Sequence, residues 1–297
     1  MTGHLFSISD TERETGINRD TLRVWERRYG FPTPVRNKRG ERLYSSETIE
    51  RLRLLKQLLD RGMRPGKLVG QDADQLRLLA PEPPVAAVLS AEVEELMEIL
   101  VHGPHSTLPF RMEQLLQRRG LRSFLTELVA PMNSAVGEAW FSGRIGILEE
   151  HCYADAVVRV LNAALTTLPR EAGKLRVLLT TFPGEQHGIG LLMVACMLRL
   201  EGAAVLLLGV QTPIDEIVRG AVQNRCAVVG LSCSKHLGRR TITTQLYKLR
   251  KLLPENIPIW GGGDGVGSLG FLPGRIQFFS DLSQLPEAIR ALGQTVA

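Results

Sequence analysis

"FPGEQHGIG", residues 182–190, follows the apolar run KLRVLLTT (174–181) and precedes LLMVACMLRL (191–200). A short apolar run closed by proline and glycine reads as a buried strand, and the longer run after the loop reads as a helix. The loop between them therefore lies at the carboxyl end of a strand and holds a carboxylate, a histidine and three glycines. Open α/β sheets bind their ligands at that edge.

The same alternation continues to the end of the chain. AVLLLGV (204–210), AVVGLSCS (227–234), PIWGGG (258–263) and RIQFFS (275–280) read as four more strands. Helical patterns at 214–225, 243–253 and 285–293 separate or follow them. Five strands with intervening helices imply a doubly wound parallel sheet of the flavodoxin-like, Rossmann-like kind. Its crevice would be lined by the loops GEQHGIG, VQTP, SCSKHLG and GGGDGVG. They offer glycine backbone, Ser232, Ser234 and His187, but no nucleophile beside a base and no paired acids. A dinucleotide would want an acid ending the second strand, where VQTP stands instead. A phospho-receiver would want acids after the first and third strands. A single histidine is too little for a protein-made zinc site, although it suffices for a metal already chelated by a macrocycle.

Upstream, AEVEELMEILVHG (91–103), PFRMEQLLQRRG (109–120), LRSFLTELVAPMNSAVGEAWFSG (121–143) and ILEEHCYADAVVRVLNAALTTL (147–168) carry apolar residues at helical spacing between Gly and Pro. Four such helices fit a small bundle. Within it Trp140 is followed, after nine residues, by Glu150 and His151. Before the bundle, residues 70–90 are polar and broken by three prolines in four positions, which reads as a linker.

The N-terminus is different in charge. Residues 1–80 hold 16 Lys and Arg against 11 Asp and Glu, whereas the remainder balances at 20 and 20. The basic excess is confined to the part expected to meet a polyanion. There "FSISDTERETGINRDTLRVWERRYGF" (6–31) has helix-turn-helix punctuation. Ser9 or Asp10 can cap a first helix, Gly16 supplies the turn, and Asn18 caps a second helix carrying Arg19, Thr21, Arg23, Arg27 and Arg28. A second helix of this kind enters the major groove. The basic turn that follows, with Arg36, Lys38, Arg39 and Gly40, then a strand ending at Tyr44 and an amphipathic helix, reads as a wing.

"GINRDTLRVWERRYGFPTP" (16–34) and "RGERLYSSETIERL" (39–52) resemble the winged-helix domain of the MerR family over about the first 70 residues. That resemblance makes Arg23, Arg27, Arg28, Arg39, Arg42 and Tyr44 DNA contacts, with Arg19, Thr21 and Arg36 beside them. Trp25 would support the fold and Glu26 would enter an internal salt bridge. Glu41 stands where the family often has an aromatic residue.

The loop Glu185-Gln186-His187-Gly188-Ile189-Gly190 resembles the D/E-x-H-x-x-G loop of cobalamin-binding domains, with a serine loop at Ser232 and Ser234 and a glycine turn at Gly262 and Gly263. In that family the histidine becomes the lower ligand of cobalt, and the displaced nucleotide tail slots beside the serine and glycine loops. Neutral imidazole suits cobalt, and the neighbouring acid can fix its tautomer. Trp140, Glu150 and His151 resemble the W-x9-E-H signature of the helical cap over cobalamin's upper face.

Together these modules resemble the CarH/LitR group of cobalamin-dependent regulators over essentially the whole chain. The resemblance implies adenosylcobalamin as cofactor, promoter DNA as partner, a homo-oligomer (dimer or tetramer), and repression relieved by light. One departure stands out. The light sensors of that group have a histidine directly after the bundle tryptophan, and here the residue is Phe141.

The fold expected is multidomain, α and α/β. It comprises a winged helix-turn-helix (1–75), a linker (76–90), a four-helix bundle (91–170) and the cobalamin-binding Rossmann-like domain (171–297). No apolar run is long enough for a membrane span, and MTGHLFSISDTE lacks the pattern of a secretory signal, so a cytoplasmic location is expected. Cys152, Cys196, Cys226 and Cys233 form no CxxC pair and read as free thiols, mostly buried. No catalytic residues are expected, because three modules leave no room for the barrel of a cobalamin-dependent mutase or methyltransferase. A MerR-type metal or drug sensor is disfavoured by the absence of paired cysteines. A cobalamin-independent regulator with a C-terminal oligomerisation scaffold is the alternative.

Overall fold

The computed structural model describes residues 5–60, 63–79, 89–168, 175–234, 237–267, 269 and 274–296. The chain divides into two compact units, residues 1–89 with 135–148, and residues 90–134 with 149–297.

In the first unit, β1 (Leu5–Ser7) leads into α1 (Ile8–Thr15), then α2 (Arg19–Tyr29). The cap of α1 is Ser7 rather than Ser9 or Asp10. Its hydroxyl accepts the Asp10 N–H at 3.1 Å, and Asp10 returns the bond to the Ser7 N–H at 3.2 Å, a closed capping box. Gly16 ends α1 in the left-handed region at φ 65°, and the Asn18 side chain caps α2 through the Asp20 N–H at 2.8 Å. β2 (Val35–Arg36) and β3 (Arg42–Ser45) form the wing, with β3 central in the antiparallel order β1-β3-β2. Asn37 stitches its turn by accepting the N–H groups of Arg39 and Glu41 and donating to the Glu41 carboxylate.

α3 (Ser46–Asp60), α4 (Pro65–Leu68) and α5 (Ala73–Leu79) close the core around Leu22, Trp25, Leu52, Leu55 and Leu76. The stretch read as linker thus begins as structure: Leu76 is fully buried, and the apolar side of DADQLRLL outweighs its polar flanks. The remaining part of that linker, 80–88, lies outside the described residues.

α6 (Ala91–His102) and α7 (Leu108–Arg119) are followed by α8 (Leu121–Ser123), a π turn over Phe124–Val129, α9 (Ala130–Phe141) and α10 (Ile147–Thr167). Pro131 explains the wide turn. Proline has no N–H and its ring crowds the carbonyl four residues back, and here the Ala130 N–H reaches five residues back to Leu125.

The second unit's sheet runs β4 (Arg176–Thr180), β5 (Ala204–Gly209), β6 (Val228–Ser232), β7 (Ile259–Gly262) and β8 (Ile276–Phe279). All neighbours are parallel in the order β5-β4-β6-β7-β8, the flavodoxin-like arrangement with its switch point at β4 and β6. α11 (Ile189–Leu200), α12 (Ile214–Gln223), α13 (Arg239–Leu252) and α14 (Leu285–Val296) complete it. α11 also meets the bundle: Arg122 pairs with Glu201, the Cys196 thiol points to the Leu161 carbonyl, and Asn133 donates to the Met193 sulfur at 3.4 Å. Three of the cysteines are buried and none is bonded to another.

Candidate functional site

The loop after β4 is held from beneath by threonines. The Thr180 hydroxyl donates to the Gly209 carbonyl at 2.9 Å, and Thr181 donates to the Glu185 carbonyl at 2.8 Å while accepting the Gln211 N–H. These bonds tie the histidine loop to the end of β5. Glu185 is then driven inward, with 2% of its surface exposed, while the His187 side chain stays 59% exposed above it.

Both oxygens of Glu185 are engaged. Oε1 accepts the His187 Nδ1–H at 2.6 Å and the His187 backbone N–H at 3.0 Å; Oε2 accepts the Ser234 N–H at 2.8 Å and its hydroxyl at 2.6 Å. Burial alone would push this carboxyl up, but the combined hydrogen bonds from His187 and Ser234 outweigh it and hold the group at about 2. The bond to Glu185 raises the His187 imidazole above its ordinary value against the opposing effect of burial, and the charges of Glu185, Glu150 and Asp264 add to it. The carboxylate engages Nδ1, and Nε2 is the ring's other nitrogen.

Gly188, Ile189 and Gly190 start α11, and Gln186 is exposed beside His187. Ser232 ends β6 in register with Gly262 on β7. A Cβ on Gly190 would lie 3.1 Å from the Ser232 hydroxyl, and one on Gly263, at φ 101°, only 2.4 Å from the Cys233 carbonyl oxygen. Gly265 is as tight, 2.6 Å from the Ser234 carbonyl oxygen. The glycine loop thus lies directly on the backbone that presents Ser234 to Glu185. Lys235 and His236 of the serine loop are outside the described residues.

Of the bundle signature, Glu150 and His151 belong to the second unit with His187, and the His151 Nδ1 is 2.7 Å from Glu150 Oε2. Trp140 falls in the first unit, its ring 4.5 Å beneath the Arg53 guanidinium.

On α2 and the wing, several arginines already hold carboxylates. Arg19 pairs with Glu12 at 3.1 Å, Arg23 with Asp20 at 3.1 Å, and Arg42 with Glu26 at 2.8 Å. Arg27 lines a surface depression with Asp20, Arg23, Val24, Glu26 and Arg42. Arg28 lies over the Tyr29 ring, Arg36 donates to the Gly40 carbonyl, and Arg39 and Thr21 sit on the wing turn and early in α2. Glu26 is therefore the internal ion-pair member expected of it. Tyr44 departs from expectation: it is 1% exposed, packed into the three-stranded sheet, and burial raises its hydroxyl above the ordinary value. Its place in the middle of β3 turns the ring inward, away from the wing's outer surface.

Comparison with known proteins sorts these features. Residues 6–69 match the MerR HTH family of regulatory proteins, and residues 175–268 match the B12 binding domain. The HTH-type transcriptional repressor CarH of Myxococcus xanthus is 30% identical over 271 residues, 89% of this chain and 90% of that one. This chain belongs to the CarH family of MerR-type regulators. CarA of the same organism, also an HTH-type transcriptional repressor, is 30% identical over 234 residues, 76% of this chain and 75% of that one. The monomethylamine corrinoid protein of Methanosarcina barkeri superposes with a TM-score of 0.52 at 16% identity, over 67% of this chain and 96% of that one, a likeness of fold.

As a CarH-family chain with a B12 binding domain, the molecule can be tested for fit to the cofactor. Among the described residues no group of three or more His, Cys, Asp or Glu side chains is arranged to hold a bare metal ion. One imidazole, oriented by a buried carboxylate and presented at the strand edge, suits instead a metal that brings its own equatorial nitrogens. The residues present fit cobalamin. Sequence reading passed over Thr181 and Asp264, which anchor the loop and add charge near His187; the threonine pair ending β4 and the acid in GGGDGVG were the visible signals.

Proposed function

We propose that this chain represses transcription from promoter DNA as a homo-oligomer, dimer or tetramer, whose assembly is favoured by adenosylcobalamin. The observation that carries the reading is the Glu185–His187 pair: a buried, ionised carboxylate holding an exposed imidazole at the ligand edge of a flavodoxin-like sheet. In this reading His187 would supply a nitrogen ligand to cobalt, and Glu185 fixes its tautomer. Gln186, Gly188, Ile189, Gly190, Ser232, Ser234, Gly262 and Gly263 border the path of the nucleotide tail, and Trp140, Glu150 and His151 serve the upper face. When bound, the cofactor supplies a photolabile cobalt–carbon bond. The α2 arginines and the wing grip DNA, and joining several heads raises the effective concentration of each at neighbouring sites. No enzymatic step is assigned to any residue. No helix among the described residues is long and apolar enough to cross a membrane, and the reading places the protein in the cytoplasm with its DNA.

In this reading Phe141 leaves the photoproduct less locked or light sensing absent, because a phenyl ring has no donor for cobalt where the light sensors that this chain resembles carry an imidazole. The test is the absorption spectrum of protein loaded with adenosylcobalamin in the dark and after white light, beside His187→Ala, with gel filtration of each sample. The expected result is pigment retained by the parent chain and lost from His187→Ala, a larger species in the dark, and no stable bis-imidazole spectrum after light. A parent chain that elutes colourless would leave a regulator whose α/β domain is a scaffold.

A further inference from the structure

The first unit contains a contact that neither DNA reading nor cofactor binding by itself requires. Arg53 lies on α3, the long helix of the winged-helix core. One edge of its guanidinium donates to Glu14, at 2.9 Å to Oε2 and 3.3 Å to the backbone carbonyl. The Glu14 side chain is itself buried, 2% exposed, in α1, the first helix of the helix-turn-helix. The Cζ of the same guanidinium lies over the indole of Trp140, 4.5 Å from the ring centroid. A planar cation can do both at once, with its edge on a carboxylate and its face on a ring, whereas a lysine ammonium cannot match that geometry. Trp140 is partly buried there, and neighbouring Ala139 and Ile145 are buried within the same unit. The tryptophan of the bundle signature is therefore docked on the DNA-binding head, through a cation whose other partner is a reading-head helix.

We propose that Arg53 is the docking residue for Trp140, so that the winged-helix head and the cofactor's upper face compete for one indole, and cofactor binding is communicated to α1 by withdrawing Trp140 from the Glu14–Arg53 pair. The proposal rests on the assignment of Trp140 to the cofactor. Its logic is linkage: a ligand that needs the indole elsewhere must displace the Arg53 contact, so its apparent affinity is lowered by the strength of that contact, and removing the contact restores it. Cation–π contacts of this partly desolvated kind correspond to a change on the order of 2- to 30-fold in an equilibrium constant. The head feels the reciprocal effect, because Arg53 without Trp140 is more hydrated and holds Glu14 less firmly.

The experiment uses the full chain in the dark. Arg53→Met alone would strip the buried Glu14 carboxylate of its two bonds from Arg53, so the variant is the double substitution Glu14→Gln with Arg53→Met, compared with Glu14→Gln alone; circular dichroism confirms that both are folded. Two readings are taken: tryptophan emission and acrylamide quenching without cofactor, repeated in a Trp140→Phe background to isolate that indole, and adenosylcobalamin affinity by absorbance titration. The expected result is increased quenching of Trp140 in the double variant and cobalamin binding on the order of 2- to 30-fold tighter than in Glu14→Gln. Unchanged quenching, or increased quenching without any gain in affinity, overturns the proposal while leaving the cobalamin reading intact. Failure of the parent and Glu14→Gln chains to bind adenosylcobalamin at all removes the cofactor reading, and the competition falls with it even if quenching changes.

Discussion

Glu185 and His187, two residues apart, are joined twice: the same carboxylate oxygen accepts the imidazole Nδ1–H at 2.6 Å and the histidine's own backbone N–H at 3.0 Å. The ring is therefore fixed in both tautomer and position before any ligand arrives, and the second oxygen extends that order to Ser234 on the loop after β6. One buried carboxylate organises two loops of the site.

Replacing Glu185 by Gln tests this. The amide keeps the size and offers one acceptor oxygen, but it loses the charge that raises the imidazole's basicity and cannot satisfy both His187 and Ser234 as acceptor. Loss of such an orienting partner typically weakens metal-centre affinity by roughly 10- to 100-fold. The expected outcome is weaker adenosylcobalamin binding by that factor in a dark titration, with the fold retained by circular dichroism. Binding equal to the parent's would mean that the histidine needs no orientation from Glu185.

The glycine turn after β7 gives a second, structural prediction. A methyl group at Gly263 would meet the Cys233 carbonyl oxygen at 2.4 Å in a conformation, φ 101°, that side chains rarely adopt, and one at Gly265 would meet the Ser234 carbonyl oxygen at 2.6 Å. Gly263→Ala is expected to destabilise the chain by about 1–3 kcal/mol, lowering the thermal midpoint, and to shift the Ser234 loop off Glu185. Gly267→Ala, where the added carbon meets nothing within 4 Å, serves as the control and should melt like the parent. Equal midpoints for the two variants would contradict the close approach.

How much of this was readable before the structure follows from the range of each interaction. Strand and helix placement in the C-terminal sheet depends on local apolar periodicity, so all five strands stand where the runs end, and the Glu185–His187 pairing spans only two residues. Choices among near neighbours were harder. Ser7, Ser9 and Asp10 all offer a cap within four residues, and only the paired bonds of the box select Ser7. Ser232 and Ser234 differ in the same way, since Ser232 ends β6 and only Ser234, two residues further on in the loop, brings its hydroxyl to Glu185. Tyr44 was misread because an aromatic beside arginines looks like a nucleic-acid contact until the pleat of β3 turns it inward. Contacts such as Arg53 over Trp140 lie far apart in sequence, and no local pattern announces them.

Acid should loosen the bundle through α6 and α7. Glu92 is held below its ordinary value of 4.5 chiefly by the hydrogen bond from Arg119, with Arg118 adding to it, and Glu95 is held down by its two bonds from Arg111, at 2.6 and 2.8 Å. A carboxyl whose folded value is depressed contributes stability that is fully present above its unfolded value and is lost as pH falls through the folded one. Urea unfolding is therefore expected to give a falling midpoint as pH drops below about 4.5. The double variant Glu92→Gln with Glu95→Gln should start less stable at neutral pH and lose less between pH 5 and about 3. Parallel curves for the two proteins would assign the acid sensitivity elsewhere.

The reading head offers a graded set of arginines. Arg19, Arg23 and Arg42 each hold a carboxylate within the protein, whereas Arg27, in one depression with Arg23 and Arg42, has no ion pair among the described residues. A guanidinium already neutralised by a neighbouring acid releases fewer counterions on meeting phosphate than one that is not. Arg27→Ala should therefore weaken binding of promoter DNA and of unrelated duplex by similar factors, and reduce the slope of log affinity against log salt by about 1. Arg19→Ala should change that slope less, because Glu12 would be released as the cation is removed. If Arg27→Ala instead leaves the salt slope intact and relaxes sequence preference alone, its guanidinium reads a base edge, and the phosphate grip of α2 must come from Arg28 and the wing.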